Sequence, residues 1–158
     1  MGPVNIQPRF SVTQVDWATT KESLRAVRRK VFVEEQHVPE ELEWDEEDER
    51  SHHVIAVAAD GTPIGTGRLL RDGHIGRMAV LKEWRGKGVG SALMRYLLRA
   101  ACESGKDVVI LHAQTHAFGF YAKHGFAVEG EEFMEAGIPH VVMSRVTADT
   151  NGTADERR

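Results

Sequence analysis

The chain has a single cysteine, Cys102, which excludes an internal disulfide. Met1 to Arg9 lacks the apolar core of a secretory leader, so a reducing, cytoplasmic setting is expected. No apolar run approaches the roughly 20 residues that a membrane-crossing helix needs, and no membrane partner is expected. Excess positive charge is missing too. Lys and Arg number 20 against 24 Asp and Glu, a net charge of -4, which disfavours a nucleic-acid-binding face. The chain lacks internal repeats and an interdomain linker, and 158 residues suit one domain with one core. Residues 1–8 read as a flexible arm and the polar stretch 147–158 as a disordered tail, leaving a domain over residues 9–146.

What is present is an alternation of strand and helix patterns. Phe10 to Val15 reads as a strand. Thr19 and Glu22 form a capping box ahead of a helix with Leu24, Val27 and Val31 on one face. An acidic connection from Glu34 to Arg50 follows, read either as a solvated loop or as a negative rim that attracts a cationic amine. His53 to Ala59, Pro63 to Leu70 and His74 to Val80 read as strands joined by Asp60-Gly61 and Asp72-Gly73, an antiparallel meander. Gly90 to Ser104 carries a helical stripe of Leu93, Tyr96, Leu97, Ala100 and Ala101. Val108 to Gln114 is an apolar run suited to a strand buried on both faces. A short helix from Ala117 to His124 and two strands flanking Gly137-Ile138-Pro139 complete an α+β pattern.

The most informative segment is Arg85-Gly86-Lys87-Gly88-Val89-Gly90-Ser91, between a strand and an amphipathic helix. Glycines let backbone N–H groups approach an anion, and the helix start adds unpaired N–H groups and the positive end of its dipole. Arg85 and Lys87 add positive charge. The arrangement suits a diphosphate. It is not a Walker A loop, because Lys87 is followed by Gly88, and its glycine spacing and antiparallel setting do not suit a Rossmann turn.

Arg85, Gly88 and Gly90 match the Q/R-x-x-G-x-G/A loop of the GNAT acetyltransferase superfamily, which the chain resembles from about Phe10 to Val146. Phe120-Tyr121-Ala122-Lys123-His124-Gly125-Phe126 resembles the F-Y-x-K-x-G-F segment of that superfamily. Arg29 to Gln36 and Gly137-Ile138-Pro139-His140 resemble its ElaA/YjcF-like subgroup. Lys82 departs from a frequent proline, and Thr115 from a frequent asparagine. The resemblance implies a three-layer α+β fold with a mostly antiparallel, mixed central sheet and helices on both faces. It implies acetyl-CoA as acyl donor, held by the backbone of Met78, Ala79 and Val80 and by the loop of Arg85, Gly86, Lys87, Gly88, Val89, Gly90 and Ser91. Tyr121 would protonate the leaving thiolate. The partner would be a small-molecule or peptide amine, and a homodimer is compatible with the family.

The base that takes the amine's proton is open among Glu34, Glu35, His53, His112 and His140. Glu34 and His140 are preferred, because the resemblance places both on the acceptor side. Cys102, near the end of the long helix, reads as a buried small hydrophobe rather than a nucleophile. No EF-hand spacing occurs in the acidic run, and no metal is expected. The same features admit a non-catalytic acyl-CoA sensor, or more remotely a dinucleotide-binding protein.

Overall fold

The computed structural model describes residues 9–148. The expected arm at residues 1–8 and most of the expected tail lie outside these. Thr147 does not belong to a tail: it is buried, and its N–H donates to Asp107 O at 2.9 Å.

Strand β1 (Phe10–Val15) leads into helix α1 (Trp17–Arg28). The cap of α1 is Asp16, not Thr19: the Thr19 N–H donates to Asp16 Oδ2 at 3.3 Å. A carboxylate three residues earlier serves as cap and also favours the helix dipole. The helix then widens into a π-helical segment, Arg29–Glu35, closed by Gln36 N–H donating to Val31 O at 3.0 Å. The acidic connection holds the short helix α2 (Glu40–Glu43) and a 3-10 segment, Glu46–Arg50.

Strands β2 (His52–Ala58), β3 (Pro63–Leu69) and β4 (Ile75–Val80) follow as the expected meander, and the first sheet runs β1-β2-β3-β4, all antiparallel. Both Asp-Gly turns are tied by their aspartates: Asp60 Oδ1 accepts from Thr62 N–H and Asp72 Oδ1 from His74 N–H, each at 3.0 Å. Alternation along β2 sets the layers. Val54 and Ala56 face the main core, while Ile55 packs with Trp17 and Leu24 of α1 on the other face.

Helix α3 (Val89–Glu103) fills the main core with Val89, Leu93, Met94, Leu97 and Ala101. Gly67 permits its close approach, since an added Cβ would lie 2.8 Å from Leu97 Cδ1 and 2.9 Å from Met78 Sδ. Cys102 sits beside this stripe and is exposed, not buried.

The second sheet contains β5 (Val108–Gln114), β6 (Ala127–Val128), β7 (Phe133–Glu135) and β8 (Ile138–Val146), with β8 pairing antiparallel to the other three. Helix α4 (Phe118–Lys123) lies between β5 and β6. Strand β5 is not buried on both faces: Val109, Leu111 and Ala113 are in the core, while Val108 and His112 are exposed. The sheets meet at one parallel bridge, His74 with Ile110. No described strand pairs with β4 on that side beyond the bridge. This places an open strand edge inside the molecule rather than on its rim.

Candidate active site

A cavity of about 1040 Å³ occupies the gap between β4 and β5. Its lining brings together Met78, Ala79, Val80, Arg85, Gly86, Gly88, Val89, Gly90, Ser91, Tyr121 and His140. Lys87 and Glu34 are exposed and do not line it, whereas Glu35 does. Both glutamates lie at the end of the π-helical segment, and only the second faces the cavity.

At one end, Gly86 and Gly88 hold φ of +77° and +89°, and Gly88 is the N-cap of α3. No side chain caps the first turn of α3. Its amides therefore face the cavity wall together with the positive end of a 15-residue helix. The expected positive side chains contribute less. Arg85 donates bidentately to Glu35, at 2.6 and 2.8 Å, and through Nε to Val80 O at 2.9 Å. Backbone dipoles at the start of α3 are joined on this side by Lys123, whose Nζ lies 5.7 Å from the centre of the Phe120 ring. Hydrogen bonds from Arg85 hold the Glu35 carboxyl below the usual carboxylate range, which makes it a poor proton acceptor.

Tyr121 is placed by α4, whose Phe120 ring rests on Gly90; a Cβ at position 90 would lie 3.2 Å from that ring. Desolvation by burial pushes the Tyr121 hydroxyl up to about 12, so it stays protonated at every working pH. The two helices are also tied by Ser91 Oγ and His124 Nε2, 3.0 Å apart. Burial, with help from Lys123, Arg95 and Arg145, pushes His124 down to about 4. As pH falls, the unfolded chain therefore takes up this proton first, and stability is lost between about 6.5 and about 4. His53, also lowered by burial, acts in the same direction. His124→Gln is expected to show a smaller fall in Tm than the wild type between about pH 7 and about pH 4.5. An identical fall in thermal melts would remove His124 as a source of acid sensitivity.

Of the remaining base candidates, His53 is 1% exposed, lies outside the cavity, bonds Asp48 O at 2.7 Å and stacks on Trp17. His112 and His140 both line the cavity, beside Glu135, which sequence reasoning did not single out. Also missed was the mutual amide pair of Gln36 and Gln114, at 2.9 and 3.2 Å, which ties the π-helical segment to β5 across the cavity.

The acidic connection is solvated at Glu40, Glu41, Asp45, Glu46 and Glu49, but two of its carboxylates, Glu43 and Asp48, are buried. Arg28, inside α1, donates to Glu43 Oε2 at 2.9 Å and to both Asp48 oxygens at 2.9 and 3.2 Å. Arg68 donates to Asp45 and Asp48, and Arg77 contacts Glu43 and Asp45. This buried network holds Leu42 and Glu43 as part of the cavity wall.

An open strand edge beside a glycine-turned helix start, with a partly buried tyrosine close by, is the arrangement that the acetyltransferase resemblance implies. Residues 13–147 match the acetyltransferase (GNAT) domain family, and the chain belongs to that family. It is similar to the uncharacterized N-acetyltransferase YjcF of Bacillus subtilis (strain 168), at 45% identity over 123 residues, 75% of this chain and 87% of that protein. Among solved structures, an acyl-CoA N-acyltransferase from Pseudomonas aeruginosa superposes with a TM-score of 0.76 at 34% identity, over 86% of this chain and 99% of that one. ElaA of Escherichia coli does so with a TM-score of 0.77 at 28% identity, over the same shares, 86% and 99%. The chain is an acyltransferase of the ElaA/YjcF-like kind. No described helix is long and apolar enough to cross a membrane.

Proposed function

We propose that the protein moves an acetyl group from acetyl-CoA to a primary amine of a small molecule or peptide, by direct attack in a ternary complex. The supporting observation is that one cavity joins the α3 amides, the open edge of β4, Tyr121 and a polar wall on β5, β7 and β8. The loop amides, about Gly86 to Ser91, take the diphosphate. The pantetheine arm lies along Met78, Ala79 and Val80 and uses the strand edge as another strand would. The same edge offers N–H donors to the thioester oxygen as it becomes negative.

Tyr121 faces the sulfur. Its raised value makes full transfer to a thiolate of ordinary pKa about 8.5 uphill, so its first role is as a hydrogen-bond donor to the leaving sulfur. The proton it passes on is replaced from the nitrogen of the tetrahedral intermediate.

Tyr121→Phe is expected to lower kcat roughly 10-fold or more, with little change in acetyl-CoA affinity. Wild-type kcat in a step shown to be chemistry would remove that role. The function itself is tested by free-thiol release and product mass across polyamines, amino sugars, amino acids, aminoglycosides and peptides. Acetyl-CoA binding without acetylation of any amine would instead make the protein an acyl-CoA sensor.

A further inference from the structure

An amine that arrives as an ammonium must shed a proton before it attacks. Glu34 lies outside the cavity, Glu35 is committed to Arg85, and His53 is buried elsewhere. Four histidines line the cavity. His116 Nε2 lies 2.6 Å from Gln114 Oε1, His74 belongs to the Asp72 turn, and His112 and His140 are the two beside Glu135 and Phe133. Glu135 Oε1 lies 2.8 Å from His112 Nδ1. Ionised, a carboxylate can only accept, so Nδ1 carries the proton and Nε2 presents a lone pair. By the same logic the Ile138 carbonyl, 2.7 Å from His140 Nδ1, makes His140 an Nδ1–H tautomer too.

Access separates the two histidines. The His140 side chain is 7% exposed, and its Nε2 lies 4.0 Å from Glu135 Oε2, too far for a hydrogen bond. The His112 side chain is 39% exposed and lines the cavity. Phe133 stacks on His140 and meets His112 edge-on, with centroids 5.9 and 5.3 Å away, so one ring fixes both imidazoles. The titratable groups against His112 are Glu135 from β7 and His74, just before β4, while His140 of β8 shares the Phe133 ring with it. The His74 ring is 5.8 Å away and is held by Asp72 at 3.0 Å.

We infer that His112 is the general base of amine acetylation and that Glu135 is the positioning residue that fixes its tautomer and stabilises its imidazolium. This rests on the amine-acceptor reading above. One ammonium proton passes to His112 Nε2 and on to solvent. The nitrogen lone pair forms the N–C bond, and the C–S bond breaks as the tetrahedral intermediate collapses. Another proton ends on the thiol sulfur by way of Tyr121, and the last stays in the amide.

The first test needs no acceptor. Histidine ¹⁵N spectra of the free wild-type protein should show neutral His112 as the Nδ1–H tautomer, and an Nε2–H tautomer overturns the assignment. The second uses the amine that the panel shows to be acetylated best. His112→Ala should lower kcat/KM for that amine about 100-fold or more, leave acetyl-CoA affinity unchanged, and move the ascending limb of the pH profile up toward the amine's own ionisation. Glu135→Gln keeps an acceptor but loses the charge. It should cost about 10-fold and move that limb to lower pH, with Glu135→Asp restoring part of both. An unmoved pH profile in His112→Ala, with turnover intact, overturns the base and leaves the transferase reading standing. Wild-type protein that binds acetyl-CoA and acetylates no amine overturns both.

Discussion

Gly88→Val is expected to raise the dissociation constant for acetyl-CoA at least 100-fold while leaving the fold in place. Nothing lies within 4 Å of a Cβ added at position 88, so the substitution creates no clash. Its penalty is confined to the backbone. At φ +89° a β-branched residue is strained, and relief requires the peptide to rotate. Gly88 is the N-cap of α3, so that rotation turns the first-turn amides away from the proposed diphosphate site. Each hydrogen bond to a charged group is worth roughly 1.5 to 3 kcal/mol, and losing two of them accounts for a factor of about 100 or more. Gly105→Val is the control. It has φ +83° and equally open surroundings but lies outside the cavity, so it should cost stability without touching affinity. Calorimetry on both variants, with circular dichroism as the check on folding, decides the matter. Unchanged affinity in folded Gly88→Val would mean that the diphosphate binds elsewhere.

The glycine loop was legible because its requirement is local: positive φ at the start of a helix writes glycine into the sequence whatever the rest of the chain does. The meander was legible for the same reason, through Asp60-Gly61 and Asp72-Gly73, and so was the stripe of α3. Features made by distant partners left no such trace. Gln36 and Gln114 stand 78 positions apart, and Arg28 and Asp48 stand 20 apart. No periodicity marks either pair. Glu135 and His112 meet only because β7 and β5 both pair with β8, a register that no short segment encodes.

Single-residue misplacements have a different origin. Glu34 was preferred because the resemblance puts the end of the first helical region on the acceptor side, and that region alone does not say which of two adjacent glutamates meets the cavity; it is Glu35, at the end of the π-helical segment. Cys102 was assigned to the core by residue type, yet it flanks the buried stripe ending at Ala101. The composition of the acidic run matches its solvated residues and gives no sign of the two that are buried, Glu43 and Asp48. The arginines that neutralise Glu43 and Asp48 come from α1, β3 and β4, outside the run itself.

That network sets the largest expected stability change. Arg28→Met should destabilise the protein by roughly 3 to 5 kcal/mol, the usual cost of removing one partner from a buried ion pair. The Arg28 side chain is 1% exposed and its partners Glu43 and Asp48 are 5% and 2% exposed, so water cannot replace the lost guanidinium. Methionine fills similar space between Trp17 and Trp44, which flank the guanidinium at 5.7 and 5.2 Å, so the effect is charge rather than a void. The adjacent residue supplies the contrast. Arg29 pairs with Glu40 at the surface, with side chains 42% and 45% exposed, and Arg29→Met should cost under about 1 kcal/mol. The sign of the pH dependence adds a second check. Burial acts to raise the Asp48 carboxyl, but Arg28 and Arg68 outweigh it and hold it below the usual range. Stability from a lowered carboxylate is present above its unfolded value, about 3.9, and is lost as pH falls through the folded value. Glu43, which burial raises, does not share that sign. The part of the difference between wild type and Arg28→Met that comes from Asp48 should narrow as acid protonates that carboxyl. Urea unfolding of both arginine variants across pH reads these quantities directly. Equal losses in the two variants, or a loss in Arg28→Met that does not narrow in acid, would show that Asp48 does not depend on this guanidinium.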